Sequence, residues 1–189
     1  LDPVKYTGTY EAQIIYQVCD TVVNYDKDLE EIIPGLATEW TVSDDGMQYT
    51  FTIRDDVYFQ PGEYQDGRLM TAEDVAYSMN RSAAESAMNR LDMLDHAEAT
   101  DDTHVVATLK APSAVFLTSL TNAGNAVVPK EEVEGWGDEF GNHLVGTGPY
   151  AMESFELDQQ TTLVKNDKYF LGEPNLDKVI FKVITDPNQ

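Results

Sequence analysis

Cysteine and basic residues are scarce in this 189-residue chain, and each shortage excludes a class of protein. The chain has one cysteine, Cys19, and its 12 Lys and Arg stand against 34 Asp and Glu, for a formal net charge of −22. A single cysteine excludes an internal disulfide framework and a zinc site built on several cysteines. The shortage of basic residues argues against nucleic acid as a partner, because phosphate binding requires clustered Lys and Arg.

Long apolar runs are also missing, since no stretch approaches the roughly 18 apolar residues needed to span a bilayer. The chain is nonetheless 42% hydrophobic and 10% aromatic. Disorder requires high charge together with low hydrophobicity, so this composition predicts a folded domain with a substantial core. The length suits one domain, or one lobe with a satellite subdomain.

Local patterns predict a mixture of short helices and strands. Apolar residues recur at helical spacing over residues 9–22, and Thr71 with Asp74 three positions later predicts the start of a second helix. Apolar and polar side chains alternate over residues 48–54, and a Ser-Asp-Asp-Gly turn separates them from a short strand at residues 40–42. This pattern predicts a hairpin. Further strands are predicted at residues 104–109, 161–165 and 178–184, a helix at 114–120, and a loosely ordered surface at the glycines of 135–141. This mixture favours an α/β or α+β fold.

Motifs for catalysis or cofactor binding fail on physical grounds. Residues 146–151 match the spacing of a dinucleotide fingerprint, but Pro149 lacks the backbone N–H that a pyrophosphate needs, and no helix follows. The acidic stretch from Asp26 lacks the Gly and the bidentate Glu of a calcium loop. The three histidines are too scattered to share a metal: His96, His104 and His143. We therefore expect no catalytic residue, no metal ligand and no cofactor.

Eight short blocks, in a fixed order along nearly the whole chain, carry a family resemblance. They are Leu1-Asp2-Pro3; Asp20-Thr21-Val22-Val23 with Tyr25-Asp26; Pro34-Gly35-Leu36-Ala37-Thr38-Glu39-Trp40; Ser43-Asp44-Asp45-Gly46 with Tyr49-Thr50-Phe51-Thr52-Ile53-Arg54; Val57-Tyr58-Phe59; Thr71-Ala72-Glu73-Asp74-Val75; Gly146-Thr147-Gly148-Pro149-Tyr150; and Lys165-Asn166-Asp167-Lys168-Tyr169-Phe170. The chain resembles the extracytoplasmic solute-binding proteins of family 5, the peptide- and nickel-binding receptors of ABC importers. One departure is the stretch at residues 60–67, which is longer than the short Gly turn usual there.

The resemblance implies an α/β, periplasmic-binding-protein-like fold (class II, cluster C), of which this chain would be the N-terminal lobe. A base with a mixed sheet would comprise residues 1–21 and 145–189 and would carry an inserted α+β subdomain at residues 22–144. The second lobe would be absent, and the start at Leu1 without Met or a signal segment suits a processed or excised chain. Without the strands that return from the second lobe, we expect the fragment to self-associate or to be locally disordered at residues 1–8 and 179–189.

The resemblance also implies where a ligand would bind. In peptide-binding members the segment after Leu-Asp-Pro lines the cleft and pairs with the ligand backbone. Carried over by position, this segment is Tyr6-Thr7-Gly8-Thr9-Tyr10, hereafter segment 6–10. Gly8 permits close backbone approach, and the two tyrosines offer broad apolar faces with polar tips. Alternatively, Tyr10 belongs to the helix core and Thr7 or Thr9 only caps the helix.

Gly148 and Tyr150 are the remaining candidate ligand-binding residues, at the crossover between the subdomains. The implied function is that of a non-enzymatic, substrate-binding component of an ABC importer. Located in the periplasm or on the outer face of the membrane, with a lipid anchor, it would deliver an oligopeptide or dipeptide to the permease. A nickel complex, a sugar or another small solute is an alternative ligand. Alternatives from other classes are an acid hydrolase that uses a carboxylate pair and a stand-alone interaction module.

Overall fold

The computed structural model describes residues 1–184, which form four α-helices and nine β-strands. The helices are α1 (Thr9–Val18), α2 (Ala72–Glu85), α3 (Phe116–Leu120) and α4 (Lys130–Trp136). The strands are β1 (Val23–Tyr25), β2 (Ile32–Pro34), β3 (Ala37–Val42), β4 (Gln48–Ile53), β5 (Leu94–Ala99), β6 (His104–Leu109), β7 (Tyr150–Glu156), β8 (Gln160–Lys165) and β9 (Lys178–Lys182). Short 3₁₀ helices at Ala123–Asn125 and Gly137–Asn142 complete these elements.

The strands form three separate sheets. A four-stranded sheet has the order β3-β4-β6-β5, a three-stranded sheet has the order β7-β8-β9, and β1 and β2 form a hairpin. All pairings among the described residues are antiparallel. The parallel pairing that a mixed base sheet requires is therefore absent from residues 1–184.

Two hydrophobic cores hold these sheets in place. The larger core lies on the four-stranded sheet, where alternate residues of β4 and β6 point inward and α2 covers them; Tyr49 and Phe116 pack with ring centroids 4.7 Å apart. The smaller core joins α1 to the three-stranded sheet through Ile15, Val18 and Leu163. It also takes in side chains that precede residue 145, such as Phe140, so apolar contacts extend across the expected boundary of the insertion.

Several local predictions are confirmed by the structure. Helix α2 starts directly after Thr71, whose backbone N–H donates to the Asp74 carboxylate at 2.9 Å. The predicted hairpin is the β3–β4 pair, and its turn places Gly46 at φ +69°, which favours glycine. The strand at residues 104–109 is β6, and the strand at residues 161–165 is β8.

Other local predictions are wrong or too long. Helix α1 ends at Val18 instead of residue 22, because Cys19 is extended with φ −127° and ψ 150°. The surface predicted to be loosely ordered at residues 135–141 instead contains the end of α4 and a 3₁₀ helix, with Phe140 fully buried. The predicted helix at 114–120 is reduced to Phe116–Leu120, and β9 ends at Lys182 instead of residue 184.

Candidate functional site

Segment 6–10 leads into the first turn of α1 and is mostly exposed. Thr7 and Thr9 are exposed, Gly8 is partly buried, and Tyr10 retains 83% of its accessible surface. The alternative that places Tyr10 in the helix core is therefore wrong. Capping by Thr7 or Thr9 is also wrong, because the Glu11 carboxylate accepts the backbone N–H groups of Thr7 (3.2 Å) and Gly8 (2.9 Å).

Tyr6 anchors this segment and presents little of its own surface. The residue is 7% exposed, and its hydroxyl donates to Asn122 Oδ1 at 2.7 Å. The Arg90 guanidinium lies 4.0 Å from the centre of the Tyr6 ring, and its Nη2 donates to the Tyr6 carbonyl at 2.8 Å. These contacts fix the backbone just before the exposed residues, so the following residues are held on a rigid support.

The backbone of this segment has few groups free to pair with a ligand strand. Glu11 already occupies the N–H groups of Thr7 and Gly8, and the Gly8 carbonyl accepts from Ala12 N–H at 3.2 Å. Among the described residues, the N–H groups of Thr9 and Tyr10 have no acceptor. As first-turn groups of a helix, they remain available to an anion or a carbonyl oxygen.

Tyr16, six residues beyond Tyr10 in α1, connects the helix to the segment before α4. The Tyr16 hydroxyl donates to the Thr121 carbonyl and accepts from Ala123 N–H, both at 3.0 Å. Burial raises the pKa of Tyr16 above its ordinary value. Tyr16 nevertheless retains 43% of its accessible surface, but six residues of α-helix place it about 120° around the helix from Tyr10.

Gly148 and Tyr150 lie at the other end of α1 and are both buried. Gly148 N–H donates to the Val18 carbonyl at 2.9 Å, and a Cβ on Gly148 would lie 2.6 Å from the Gln17 carbonyl oxygen. Tyr150 belongs to the smaller core. A ten-residue helix is about 15 Å long, so the structure does not bring these two residues together with segment 6–10.

Gln60, which the sequence analysis did not single out, organises this second end of α1. Its side-chain Nε2 donates to the carbonyls of Val18 (3.1 Å), Gly148 (3.1 Å) and Tyr150 (2.9 Å), and its Oε1 accepts from Gly146 N–H at 3.2 Å. Gln60 is only 3% exposed. Nothing in the sequence around Gln60 indicates this role, since it lies in the irregular stretch before Pro61.

Asp20 is a second residue that sequence reasoning missed. Its carboxylate accepts hydrogen bonds from Thr147 Oγ1 (2.8 Å) and from the Tyr169 hydroxyl (3.1 Å). Burial raises the pKa of Asp20, an effect that these two hydrogen bonds partly oppose, and burial also raises the pKa of Tyr169. The three side chains connect the end of α1, the crossover and the segment after β8.

A cavity of about 360 Å³ lies between the loop at Pro61, the end of α4 and strand β7. Its wall contains the parallel stack of Trp136 on His143, whose ring centroids are 3.5 Å apart.

Within residues 1–184, no three His, Cys, Asp or Glu side chains come together in a way that suits a metal ion. No helix in the same part of the chain combines the length and the apolarity that a membrane crossing requires.

Comparison with known proteins gives the family. The sequence profile of the family "Bacterial extracellular solute-binding proteins, family 5 Middle" matches residues 31–189. The chain belongs to this family. Its members are binding proteins rather than enzymes, and the resemblance stated from the eight sequence blocks is confirmed.

Three similar proteins cover almost all of this chain. Di/tripeptide-binding protein 2 of Pseudomonas aeruginosa is 29% identical over 99% of the chain and 39% of its own length. The periplasmic binding protein DppA of Helicobacter pylori, solved with the peptide STSA, has a TM-score of 0.84 and 29% identity over 99% of this chain and 41% of its own. NikZ of Campylobacter jejuni, solved with Ni(L-His), has a TM-score of 0.86 and 26% identity over 98% and 37%.

These structural matches confirm the periplasmic-binding-protein-like fold class and its α/β character. They also show that the chain spans about two fifths of the length of the proteins it matches. The similarity therefore extends over only one part of each relative.

Proposed function

We propose that this chain is part of the substrate-binding component of an ABC importer, which captures a dipeptide or oligopeptide outside the membrane and delivers it to the permease. The observation that carries the proposal is segment 6–10, where an exposed Tyr10 and two free N–H groups follow a backbone that Tyr6 and Arg90 fix in place. The names of the di/tripeptide-binding protein and of the DppA complex with STSA support a peptide as the ligand class.

The proposed architecture is one lobe of a two-lobed receptor. Residues 1–21 and 145–189 form the base and residues 22–144 form the insertion, with a second lobe outside this chain. The ligand lies between the lobes, and closure of the lobes presents a new surface to the permease. The proposed location is the periplasm or the outer face of the membrane, with a lipid anchor on the whole protein.

The free groups of segment 6–10 limit how a peptide pairs with it. A ligand strand cannot accept hydrogen bonds from Thr7 or Gly8 while Glu11 occupies their N–H groups. The proposed contacts are therefore a ligand oxygen on the first-turn N–H groups of α1 and an apolar or backbone face of the ligand on Tyr10. Gly148 and Tyr150 are buried at the other end of α1, so they lie outside this site.

A nickel complex is the second candidate ligand, favoured by the fold similarity to NikZ in complex with Ni(L-His). The deciding experiment is isothermal titration calorimetry of the full-length receptor with trialanine and, separately, with nickel and L-histidine supplied together. Micromolar or tighter binding of trialanine, with no heat from nickel and histidine, supports the peptide receptor. The opposite pattern replaces it with the nickel-complex receptor, and heat from neither ligand contradicts both.

A further inference from the structure

The cavity beside strand β7 lies apart from segment 6–10. Its volume of about 360 Å³ is within the range of small-molecule pockets. Its wall includes Val145, which directly precedes Gly146, and a Cβ on Gly146 would collide with the Val18 carbonyl at the end of α1. Segment 6–10 leads into the opposite end of that ten-residue helix, about 15 Å away. The cavity is therefore a separate place from the proposed peptide contact.

The long loop at residues 60–67 forms one side of this cavity. Gly62 lines the cavity, and the Glu132 carboxylate on α4 accepts the backbone N–H groups of Tyr64 (2.7 Å) and Gln65 (3.1 Å). A Cβ on Gly62 would collide with the Glu132 carboxylate, so the loop comes this close to α4 only with glycine at that position. The stretch that departs from the short turn usual in the family is therefore held in place as a cavity wall.

The aromatic part of the wall is fixed by its neighbours. Trp136 Nε1 donates to the Glu132 carboxylate at 3.1 Å, and the Trp136 ring lies parallel to His143 within 6°. The Tyr64 ring meets the same indole edge-on, at an interplanar angle of 82°. Apolar side chains complete the lining: Leu144, Val145, Met152 and Phe155. A wall that is already ordered binds an apolar or aromatic body at a low cost in side-chain entropy.

The charge at this cavity is negative. Glu63, Glu132 and Glu153 line it, and within residues 1–184 no Lys or Arg does. Glu132 has no exposed surface, and in the described part of the chain its carboxylate accepts three N–H groups but has no Lys, Arg or His nitrogen within 4.0 Å. Lys178 partly neutralises the exposed Glu153, at 2.7 Å. A buried carboxylate without a counter-ion favours a cation in the adjacent cavity, because its field is weakly screened there.

We propose that this cavity is an accessory site for a small organic cation, a primary ammonium group attached to an apolar or aromatic body. The ammonium group lies toward Glu63 and the buried Glu132, and the body lies against Trp136 and the apolar lining. An anion of the same shape is disfavoured, because the described lining residues offer it no Lys or Arg. The site is additional to the proposed peptide cleft and does not depend on it.

The test is isothermal titration calorimetry of the full-length receptor with three probes of nearly equal shape: phenethylamine, 2-phenylethanol and 3-phenylpropionate. We expect the amine to bind at least about tenfold more tightly than the neutral alcohol, and the anion to bind more weakly than either. Equal affinity for the amine and the alcohol, tighter binding of the anion, or no heat from the amine at millimolar concentration overturns the inference.

A double variant, Glu63→Gln with Glu153→Gln, removes two exposed charges from the cavity and leaves the buried carboxylate in place. It should weaken phenethylamine binding at least about fivefold and change the affinity for 2-phenylethanol by about twofold at most. The matched control is Glu30→Gln with Glu134→Gln, which changes the net charge equally at exposed positions outside the cavity; Glu134, like Glu153, is paired with a lysine. Equal weakening by both double variants would mean that the amine responds only to overall charge, which contradicts the site.

Ser154→Phe tests where the amine lies. Ser154 lines the cavity from β7, and a phenyl ring at that position would fill part of the space, so phenethylamine should bind at least about tenfold more weakly. Tyr10→Ala, at the other end of α1, should change the affinity for the amine by about twofold at most. The reverse pattern places the amine in the proposed peptide cleft and overturns the inference. If Ser154→Phe does not fold, the double variant of exposed glutamates decides the question.

Discussion

The side-chain amide of Gln60 donates to the Gly148 carbonyl at 3.1 Å, although 88 residues separate the two in sequence. The same amide reaches the carbonyls of Val18 and Tyr150, and the Gln60 backbone N–H donates to the Gly146 carbonyl at 2.9 Å. One buried side chain therefore connects the loop after β4, the end of α1 and the start of β7. The Val18 and Gly148 carbonyls each have a second donor, the Gly148 N–H and Asn166 Nδ2 (both 2.9 Å), whereas among the described residues the Gly146 N–H donates only to Gln60 Oε1.

Gln60→Ala is expected to lower the free energy of unfolding by about 3 kcal/mol, because it leaves several buried carbonyls and the Gly146 N–H with fewer partners. Urea denaturation followed by circular dichroism measures the change. The matched control is Gln159→Ala, since Gln159 is exposed, and it should stay within about 0.5 kcal/mol of wild type. Equal stability of Gln60→Ala and the control would show that water replaces the Gln60 contacts.

Asp20 predicts a pH dependence of stability. Its pKa is raised in the folded protein, mainly by burial, above the ordinary value of 3.8. The folded state therefore binds the proton more tightly than the unfolded chain, and this term lowers stability as pH rises from 3.8 through the folded pKa.

The measurement is the free energy of unfolding of wild type and Asp20→Asn across that pH range. Asn keeps one oxygen acceptor, replaces the other carboxylate oxygen with an NH2 donor and cannot ionise. The exchange of acceptor for donor changes stability by an amount that does not depend on pH, so wild type should still lose stability relative to the variant with rising pH. Asp55→Asn, at an exposed site, is the control and should leave the pH profile parallel to that of wild type. A constant difference between wild type and Asp20→Asn would contradict the assignment.

Predictions from the sequence succeeded where a local pattern determines the structure. The alternation of β4, the turn at Gly46 and the pairing of Thr71 with Asp74 each involve residues close in the chain. Helix α1 was predicted four residues too long because Val22 continues the helical spacing of apolar residues. In the structure Val22 instead belongs to the larger core, while α1 packs in the smaller one.

The contacts that shape the candidate site join residues far apart in sequence, so no local sequence pattern predicts them. Thr147 and Asp20 are 127 residues apart, and Arg90 and Tyr6 are 84 apart. The glycines at residues 135–141 suggested loose structure, but Gly135 instead allows the Tyr64 ring to approach α4, where a Cβ would lie about 2.5 Å from Tyr64 Cε2. Tertiary packing therefore gives Gly135 a role that the glycine content of this stretch does not indicate.

The outer edge of β9 predicts self-association of the isolated chain. Strand β9 pairs only with β8 among the described residues, and Ile180 and Val183 are both more than half exposed. An edge strand with exposed apolar side chains is a template for another copy. Analytical ultracentrifugation should show concentration-dependent dimers, which Ile180→Lys reduces. Leu171→Lys, which also adds a lysine at an exposed leucine but outside the strand, should leave them unchanged; a monomer at all concentrations contradicts the prediction.

Tyr10 provides the direct test of segment 6–10 as a wall of the ligand cleft. A side chain that is 83% exposed and makes no side-chain hydrogen bond among the described residues contributes little to folding, so Tyr10→Ala should leave the melting temperature within about 2 °C of wild type. If the segment contacts the ligand, the same variant of the full-length receptor should bind trialanine about tenfold more weakly in calorimetry. Tyr58→Ala removes another exposed tyrosine, which lies outside the segment, and should retain wild-type affinity within about twofold. Equal affinities for the two variants would remove Tyr10 from the site, because the loss of an aromatic contact in a desolvated cleft has a measurable cost in binding.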